Sequence, residues 1–247
     1  MNTQDSTALV TGANRGIGKA FADALLERGA AKVYAAVRDV ATVTDPRLVP
    51  IQLDVTDADR VAAVARELDD VQVVVNNAGV LHVGVPLSAS LDVARVELET
   101  NYLSLVSITQ AFAPVLERNG GGAFINMLSV FSWVATPLLT TYSASKAAGW
   151  AFTNAARVVL RRQGTQVVGV YAGPVDTDMA AAFDLEKIPP ATVAVGALDA
   201  LEAGEPEAVV DDYSRAIKAG LSDDQDALYP QIEREFLAMT GAGTARR

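Results

Sequence analysis

One stretch constrains the fold of this chain more than any other. The apolar run Thr7–Val10 passes straight into TGANRGIG, residues 11–18, and from there into a segment of helical pattern. Gly12, Gly16 and Gly18 can take positive φ or let another backbone come close. A strand that turns this way and restarts as a helix leaves the first helical N–H groups free, facing any anion at the turn. A pyrophosphate is the natural guest, with Asn14, Arg15 and Ile17 filling the turn between the glycines. A glycine-rich turn by itself is common. Its position after the first strand of a strand–helix–strand unit is what makes it a nucleotide cradle.

The rest of the chain keeps the same rhythm. Strands are expected at Thr7–Val10, Lys32–Val37, Val49–Asp54, Val71–Asn76, Ala123–Leu128 and Gln166–Tyr171. Helices are expected at Gly16–Arg28, Asp57–Leu68, Ser90–Arg118 and Thr141–Arg162. The strands are nearly continuous Val, Ile and Ala, the pattern of strands covered on both faces. This predicts an α/β fold, a doubly wound parallel sheet with helices on both faces. No repeat or linker divides the 247 residues, so residues 1–247 read as a single domain. After Tyr171 the pattern loosens. Met179–Pro190 is irregular, and residues 178–190 are expected to form a lid over a substrate. Thr192–Glu202 reads as a helix, Glu207–Val210 as a short edge strand, and Asp212–Ala219 and Gln225–Met239 as a helical tail.

Charge narrows the choice of ligands. A formal net charge of −10 repels nucleic-acid backbones, so a nucleic-acid partner is not expected. An anionic ligand must then be held locally, by a helix N-terminus and a few placed arginines. The chain has no cysteine and a single histidine, His82, so neither thiol chemistry nor a metal site is expected. The apolar runs are strand-length, which predicts no membrane span. The opening MNTQDSTALVTGANRG shows no basic end before an apolar core, and a cytoplasmic location is expected.

The spacing G-x-x-x-G-x-G, with its leading threonine, resembles the cofactor loop of the short-chain dehydrogenase/reductase family in its classical branch. The resemblance implies a Rossmann-type fold and a nicotinamide dinucleotide. The second strand closes in AAVRD. An acid closing that strand would hold the ribose hydroxyls of NAD. Here Val37 closes it and Arg38 follows, and an arginine suits a 2′-phosphate through a forked, charge-assisted contact. Arg15 is a second cation for the same phosphate. Together they favour NADP(H), while Asp39 keeps NAD(H) as the second reading. In LDVTD, Asp54 and Val55 match the family's adenine contact, although Asp54 or Thr56 also reads as a helix cap. NNAG, residues 76–79, ends the fourth strand; the resemblance assigns Asn77, Ala78 and Gly79 to the adenosine side of the cofactor.

YSASK, residues 142–146, puts Tyr142 and Lys146 on one helical face. A free phenol, with a pKa near ~10, is a poor acid at neutral pH. A cation beside it favours the phenolate and lowers that value. Ser129 ends the fifth strand in NMLS, at the edge of the ligand crevice of a parallel sheet, and can donate to a carbonyl oxygen. Asn101, in TNYLS, falls inside the long fourth helix, where an asparagine needs a partner. In the resembled family these four are the catalytic set. Tyr142 is the proton donor and Ser129 polarises the carbonyl. Lys146 tunes Tyr142 and holds the nicotinamide ribose, and Asn101 anchors a water linking Lys146 to solvent. The resemblance covers Thr7 to Thr177.

In AGPVDTD, residues 172–178, Gly173 and Thr177 match the family pattern. Ala172 stands where a proline is expected, and Pro174 follows, so the path of this loop stays open. Gly173, Val175 and Thr177 are candidates for the nicotinamide amide and phosphates. Val130, Trp133, Leu139, Met179 and Phe183 are candidates for the substrate pocket, with Gly173 and His82 beside them. Such a pocket admits ketones and aldehydes with apolar bodies. The reading is an NADP(H)-dependent ketoreductase or alcohol dehydrogenase acting on a small molecule, similar to the carbonyl reductases of the family. The alternatives are a redox sensor that binds NADP(H) without turnover and an NAD-dependent alcohol dehydrogenase. The apolar residues Trp150, Phe152, Val158 and Val159 on helix 141–162 point to a homo-oligomer, with a dimer favoured.

Overall fold

Seven strands, all parallel, form one sheet in the order β3-β2-β1-β4-β5-β6-β7 in the computed structural model. It describes residues 1–85 and 90–222, together with Ile232 and Arg234. The strands are β1 Thr7–Thr11, β2 Lys32–Val37, β3 Val49–Gln52, β4 Val73–Asn76, β5 Gly122–Met127, β6 Thr165–Tyr171 and β7 Glu207–Val209. The order reverses direction between β1 and β4. Loops leaving these strands at their carboxyl ends diverge there and open a crevice.

Helices cover both faces. On one side α1 (Gly16–Glu27) and α6 (Pro190–Ala203) pack on the sheet through Phe21, Leu25, Val193 and Leu198. On the other, α2 (Ala58–Glu67), α4 (Ser104–Arg118) and α5 (Thr140–Leu160) pack through Val61, Val64, Ile108, Phe112 and Leu160. Each fully buried phenylalanine contributes about 1.5–3 kcal/mol over an exposed one. A smaller cluster of Val130, Val134, Ile217 and Ile232 joins the carboxyl end of β5 to α7 (Asp212–Ala219) and the C-terminal segment.

Three expectations need correction. β3 is exposed at Val49, Pro50 and Gln52. It lies at the edge of the sheet, so its apolar run did not signal burial on both faces. The single helix expected over Ser90–Arg118 is two helices, α3 (Leu91–Leu98) and α4, joined by a π-helical turn at Glu99–Leu103. A one-residue surplus does not disturb the apolar periodicity enough to be read from sequence. The helix expected over Gln225–Met239 lies outside the described residues, apart from Ile232 and Arg234. No described helix is long and apolar enough to cross a membrane.

Candidate active site

The glycine turn is built as the spacing predicts. Gly12 and Gly16 have φ of 67° and 53°, which only glycine adopts without strain. Gly18 is held by proximity instead: a Cβ there would lie 2.1 Å from the Gly12 carbonyl oxygen. The Thr11 hydroxyl ties the switch point together. It donates to Val75 O and accepts from the N–H groups of Asn77 and Ala78, at 2.9 and 3.0 Å. Asn77 returns its amide to Thr11 O at 2.8 Å. No side chain caps the start of α1, so its first N–H groups face the cleft without an internal partner. Gly12, Asn14, Arg15, Gly16, Ile17, Asn77, Ala78 and Gly79 all line that cleft. Its volume is about 1780 Å³. Pockets for one small ligand run to ~1,000 Å³, so a dinucleotide and a second molecule both have room.

At the adenosine end the two arginines part ways. Arg15 is taken by Asp178 across the cleft mouth, at 2.6 Å. Arg38 lines the cleft outside any close ion pair among the described residues, near enough to Asp54 for its charge to help lower that carboxyl. Asp39 caps the short turn Val40–Thr42, accepting from Ala41 N at 3.0 Å. Asp54 accepts from the N–H and hydroxyl of Thr56, and these hydrogen bonds hold its carboxyl below the usual range. Asp57, rather than Asp54 or Thr56, caps α2. Val55 lines the cleft beside them.

At the other end the structure brings Ser129, Tyr142 and Lys146 onto one wall. All three are buried. Lys146 Nζ lies 5.7 Å from the centre of the Tyr142 ring and donates to Met127 O at 2.8 Å. Ser129 starts a 3-10 turn, Val130–Ser132, closed by a reciprocal pair: Ser129 Oγ accepts from Phe131 N and Ser132 Oγ accepts from Ser129 N. That leaves the Ser129 hydroxyl proton to donate toward the Tyr142 oxygen at the cleft wall. Ser132 has no cleft contact and escaped the sequence reading.

Asn101 sits in the π-helical turn. Its amide oxygen accepts from Val80 N at 2.8 Å, and its NH2 donates to Val80 O and Ser145 Oγ at 2.9 and 3.0 Å. Its side chain therefore pins the loop after β4. Asn101 and Lys146 also border a polar cavity of about 10 Å³, roughly the space for one water. Asn76 borders it too, with its amide oxygen unpartnered.

Glycine cradle, uncapped helix and serine–tyrosine–lysine wall thus lie in a single cleft. The family model for short chain dehydrogenases matches residues 6–187. The chain belongs to the short-chain dehydrogenase family. A solved short chain dehydrogenase from Burkholderia cenocepacia, in complex with NADP, superposes with a TM-score of 0.90 at 39% identity, over 94% of this chain and 99% of that one. A 1-deoxy-11-beta-hydroxypentalenate dehydrogenase of Streptomyces exfoliatus is 34% identical over 194 residues, 72% of this chain and 70% of its own. The 3-oxoacyl-acyl-carrier-protein reductase FabG of Vibrio cholerae is 30% identical over 196 residues, 76% and 80% of the two chains.

Within this short-chain dehydrogenase the electrostatics correct one expectation. Burial pushes the Tyr142 phenol up to about 12, against the pull of a hydrogen bond with Ser129; the Glu97 charge adds to the rise. Burial likewise pushes Lys146 down to about 8. The spacing argument predicted a phenol acidified by its neighbour. In the protein by itself, burial sets both values, and neither group contributes to the other's shift.

The substrate side is corrected as well. Leu139, Met179 and Phe183 line the cleft, as expected. Val130 and Trp133 do not. Val130 is fully buried in the cluster behind the wall, and Trp133 stacks on Tyr171 at 4.0 Å. The 3-10 turn after Ser129 aims Phe131 at the cleft instead. Leu138, Leu185, Tyr213 and Ile232 also line it and were missed, the last two because they come from the loosely patterned tail.

The open path of the loop after β6 is now fixed. Ala172 O accepts from Val130 N, Gly173 N donates to Asp211 at 2.8 Å, and Val175 pairs with Ile188. Val175 is buried in the core while its backbone borders the cleft. Thr177 reaches the glycine turn, its methyl 3.2 Å from where a Gly16 Cβ would stand. Among the described residues no cluster suits a metal ion.

Proposed function

We propose that this chain is an NADP(H)-dependent oxidoreductase that exchanges a hydride with a ketone or secondary alcohol of apolar body. The observation that carries the reading is the buried set Ser129, Tyr142 and Lys146 on the wall of a cleft that begins at the glycine cradle. The cradle fits a dinucleotide: its helix start is uncapped, and Gly18 leaves no space a side chain could fill. Gly12, Gly16, Asn14 and the first turn of α1 would hold the pyrophosphate. Arg38 would meet the 2′-phosphate, and Lys146 the nicotinamide ribose. When bound, the cofactor supplies the hydride and, once oxidised, a positive charge that favours the phenolate.

The chain's own residues do the rest. Ser129, its hydroxyl turning from the Tyr142 oxygen to the carbonyl oxygen, donates to the carbonyl and holds it beside Tyr142. As the carbonyl carbon is reduced, the Tyr142 O–H bond breaks and its proton goes to that oxygen. Lys146, held by Met127 O, stabilises the phenolate left behind. Asn101 and the small polar cavity give the lysine a route for reprotonation. Apolar side chains of Phe131, Leu138 and Leu139 keep bulk water off the reacting atoms.

Residues 176–187 read as a lid of the single domain. The pairing of Val175 with Ile188 closes the base of this segment, and Met179, Phe183 and Leu185 border the cleft. A dimer through α5 is supported by Val158 and Val159, which stand exposed on that helix. Disappearance of NADPH absorbance over a panel of aryl and aliphatic ketones tests the reading. Cofactor binding without turnover of any carbonyl would favour a redox sensor. Arg38→Ala should raise the NADPH Kd about thirtyfold, the worth of a charge-assisted contact, and leave NADH unchanged. Equal losses for both cofactors would refute the phosphate-clamp role of Arg38.

A further inference from the structure

Glu97 is a carboxylate with no exposed surface; beyond its charge raising the Tyr142 phenol, the reaction described above gives it no role. It is the one buried residue of α3. One oxygen, Oε1, accepts from the backbone N–H of His82 at 2.8 Å. The same oxygen lies 3.5 Å from His82 Nδ1. The other, Oε2, has no described partner. A carboxylate buried this way is costly and calls for a reason.

Its surroundings supply one. The loop after β4 is fixed at three points: Val80 by Asn101, His82 by Glu97, and Gly84 N by Leu138 O at 2.9 Å. Leu138 lies four residues before Tyr142, so this loop is tied to the segment that delivers the phenol. His82 borders the same cleft as Ser129 and Tyr142, with its side chain 45% exposed. A carboxylate facing Nδ1 favours a proton there. The other ring nitrogen, Nε2, is then a lone-pair acceptor at the cleft surface.

We infer that His82, set by Glu97, accepts a hydrogen bond from a hydroxyl on the substrate, so that the preferred carbonyl compound is a hydroxy ketone with an apolar body. Glu97 is a positioning residue: it acts through the imidazole and touches no substrate. The inference rests on the oxidoreductase reading and narrows it. It requires no new chemistry, because the hydroxyl is recognised and left intact.

The test uses a matched pair of aryl ketones, phenylacetylcarbinol and phenylacetone, which differ by one hydroxyl. Wild type should show kcat/KM about tenfold higher for the hydroxylated ketone, the worth of one neutral hydrogen bond. His82→Phe should lower kcat/KM for phenylacetylcarbinol about tenfold more than for phenylacetone, erasing the preference. A purely structural histidine would lower both substrates together, and that result overturns the inference. A second readout is independent of turnover. His82 is the only histidine in the chain, so labelling histidine with a heavy nitrogen isotope gives signals from this ring alone. At mildly alkaline pH the ring should carry its proton on Nδ1, and phenylacetylcarbinol added with NADP should shift Nε2. Glu97→Gln should move the tautomer balance toward Nε2–H. An Nε2–H ring in wild type, or a ring unmoved by phenylacetylcarbinol, overturns the assignment. Turnover of other panel ketones but of neither of these overturns the inference alone; if no carbonyl is turned over, the oxidoreductase reading falls, and the tautomer result still decides whether Glu97 sets His82.

Discussion

The two ends of the cleft are made of different material. At the cradle the lining is main chain: two glycines at positive φ, a third with no space for a Cβ, and a helix start without a cap. At the reacting end it is side chain: a phenol, an ammonium and a hydroxyl, with an asparagine behind them, delivered by α5, the loop after β5 and the π-helical turn. The cradle fails if an atom is added, and the reacting end fails if one is removed. Binding and chemistry should therefore separate under mutation, and each prediction below tests that separation.

The largest effect is expected at Tyr142. Tyr142→Phe removes one oxygen and should cut turnover about a thousandfold. Fluorescence titration should find NADPH affinity within about twofold of wild type, because the cradle is untouched. A parallel loss of cofactor affinity would break the comparison. Gly18→Ala is its mirror image. The added methyl would stand 2.1 Å from Gly12 O and 2.5 Å from the Asn77 amide nitrogen, so the turn must shift. NADPH affinity should fall about a hundredfold, with kcat at saturating cofactor largely kept.

Lys146 gives a smaller effect with a defined sign. Its folded value of about 8 lies below the free-lysine 10.5, so wild type carries a penalty below about pH 8. That penalty is on the order of 3 kcal/mol. It is relieved as pH climbs from about 8 toward 10.5. Lys146→Met keeps the length and drops the charge. Denaturant melts should show the variant's stability relative to wild type highest near neutral pH and declining by about pH 9.5. Tyr142, pushed up from 10.0 to about 12, is present in both proteins, so its own linkage cancels in the difference. A gap that stays constant with pH would mean that the ammonium is not desolvated.

The smallest effect is expected at the mouth of the cleft. Asp178→Asn frees Arg15 from an exposed ion pair, so its stability should change by about 1 kcal/mol or less. KM for NADPH should fall by about twofold or less as Arg15 becomes available to the cofactor. A rise would show that the pair assists binding by closing residues 176–187 over the glycine turn.

Legibility in the sequence follows the same division. The cradle is eight consecutive residues whose requirements are steric, so spacing alone located it. YSASK was readable for a related reason, since helical geometry places its two reactive groups. What failed depended on the exact turn of the backbone. Val130 and Trp133 were assigned to the pocket because they follow Ser129, yet the 3-10 turn delivers Phe131. The phenol's acidity was inferred from a neighbouring charge without its burial. Pairings between remote segments left no local trace: Arg15 with Asp178 is separated by 163 positions, and His82 with Glu97 by 15.

The π-helical turn at Glu99–Leu103 acts as a phase shifter. One surplus residue turns the helical register by about 100°. Glu97 and Asn101, on either side of its start, both grip the loop after β4, while Leu105, Ile108 and Phe112 farther along keep facing the sheet and its packing. A regular helix through this region would have to give up one of those two faces. Losing a single codon there would heal the helix and strip Glu97 or Asn101 of its backbone partners, loosening the loop after β4 at the cleft wall.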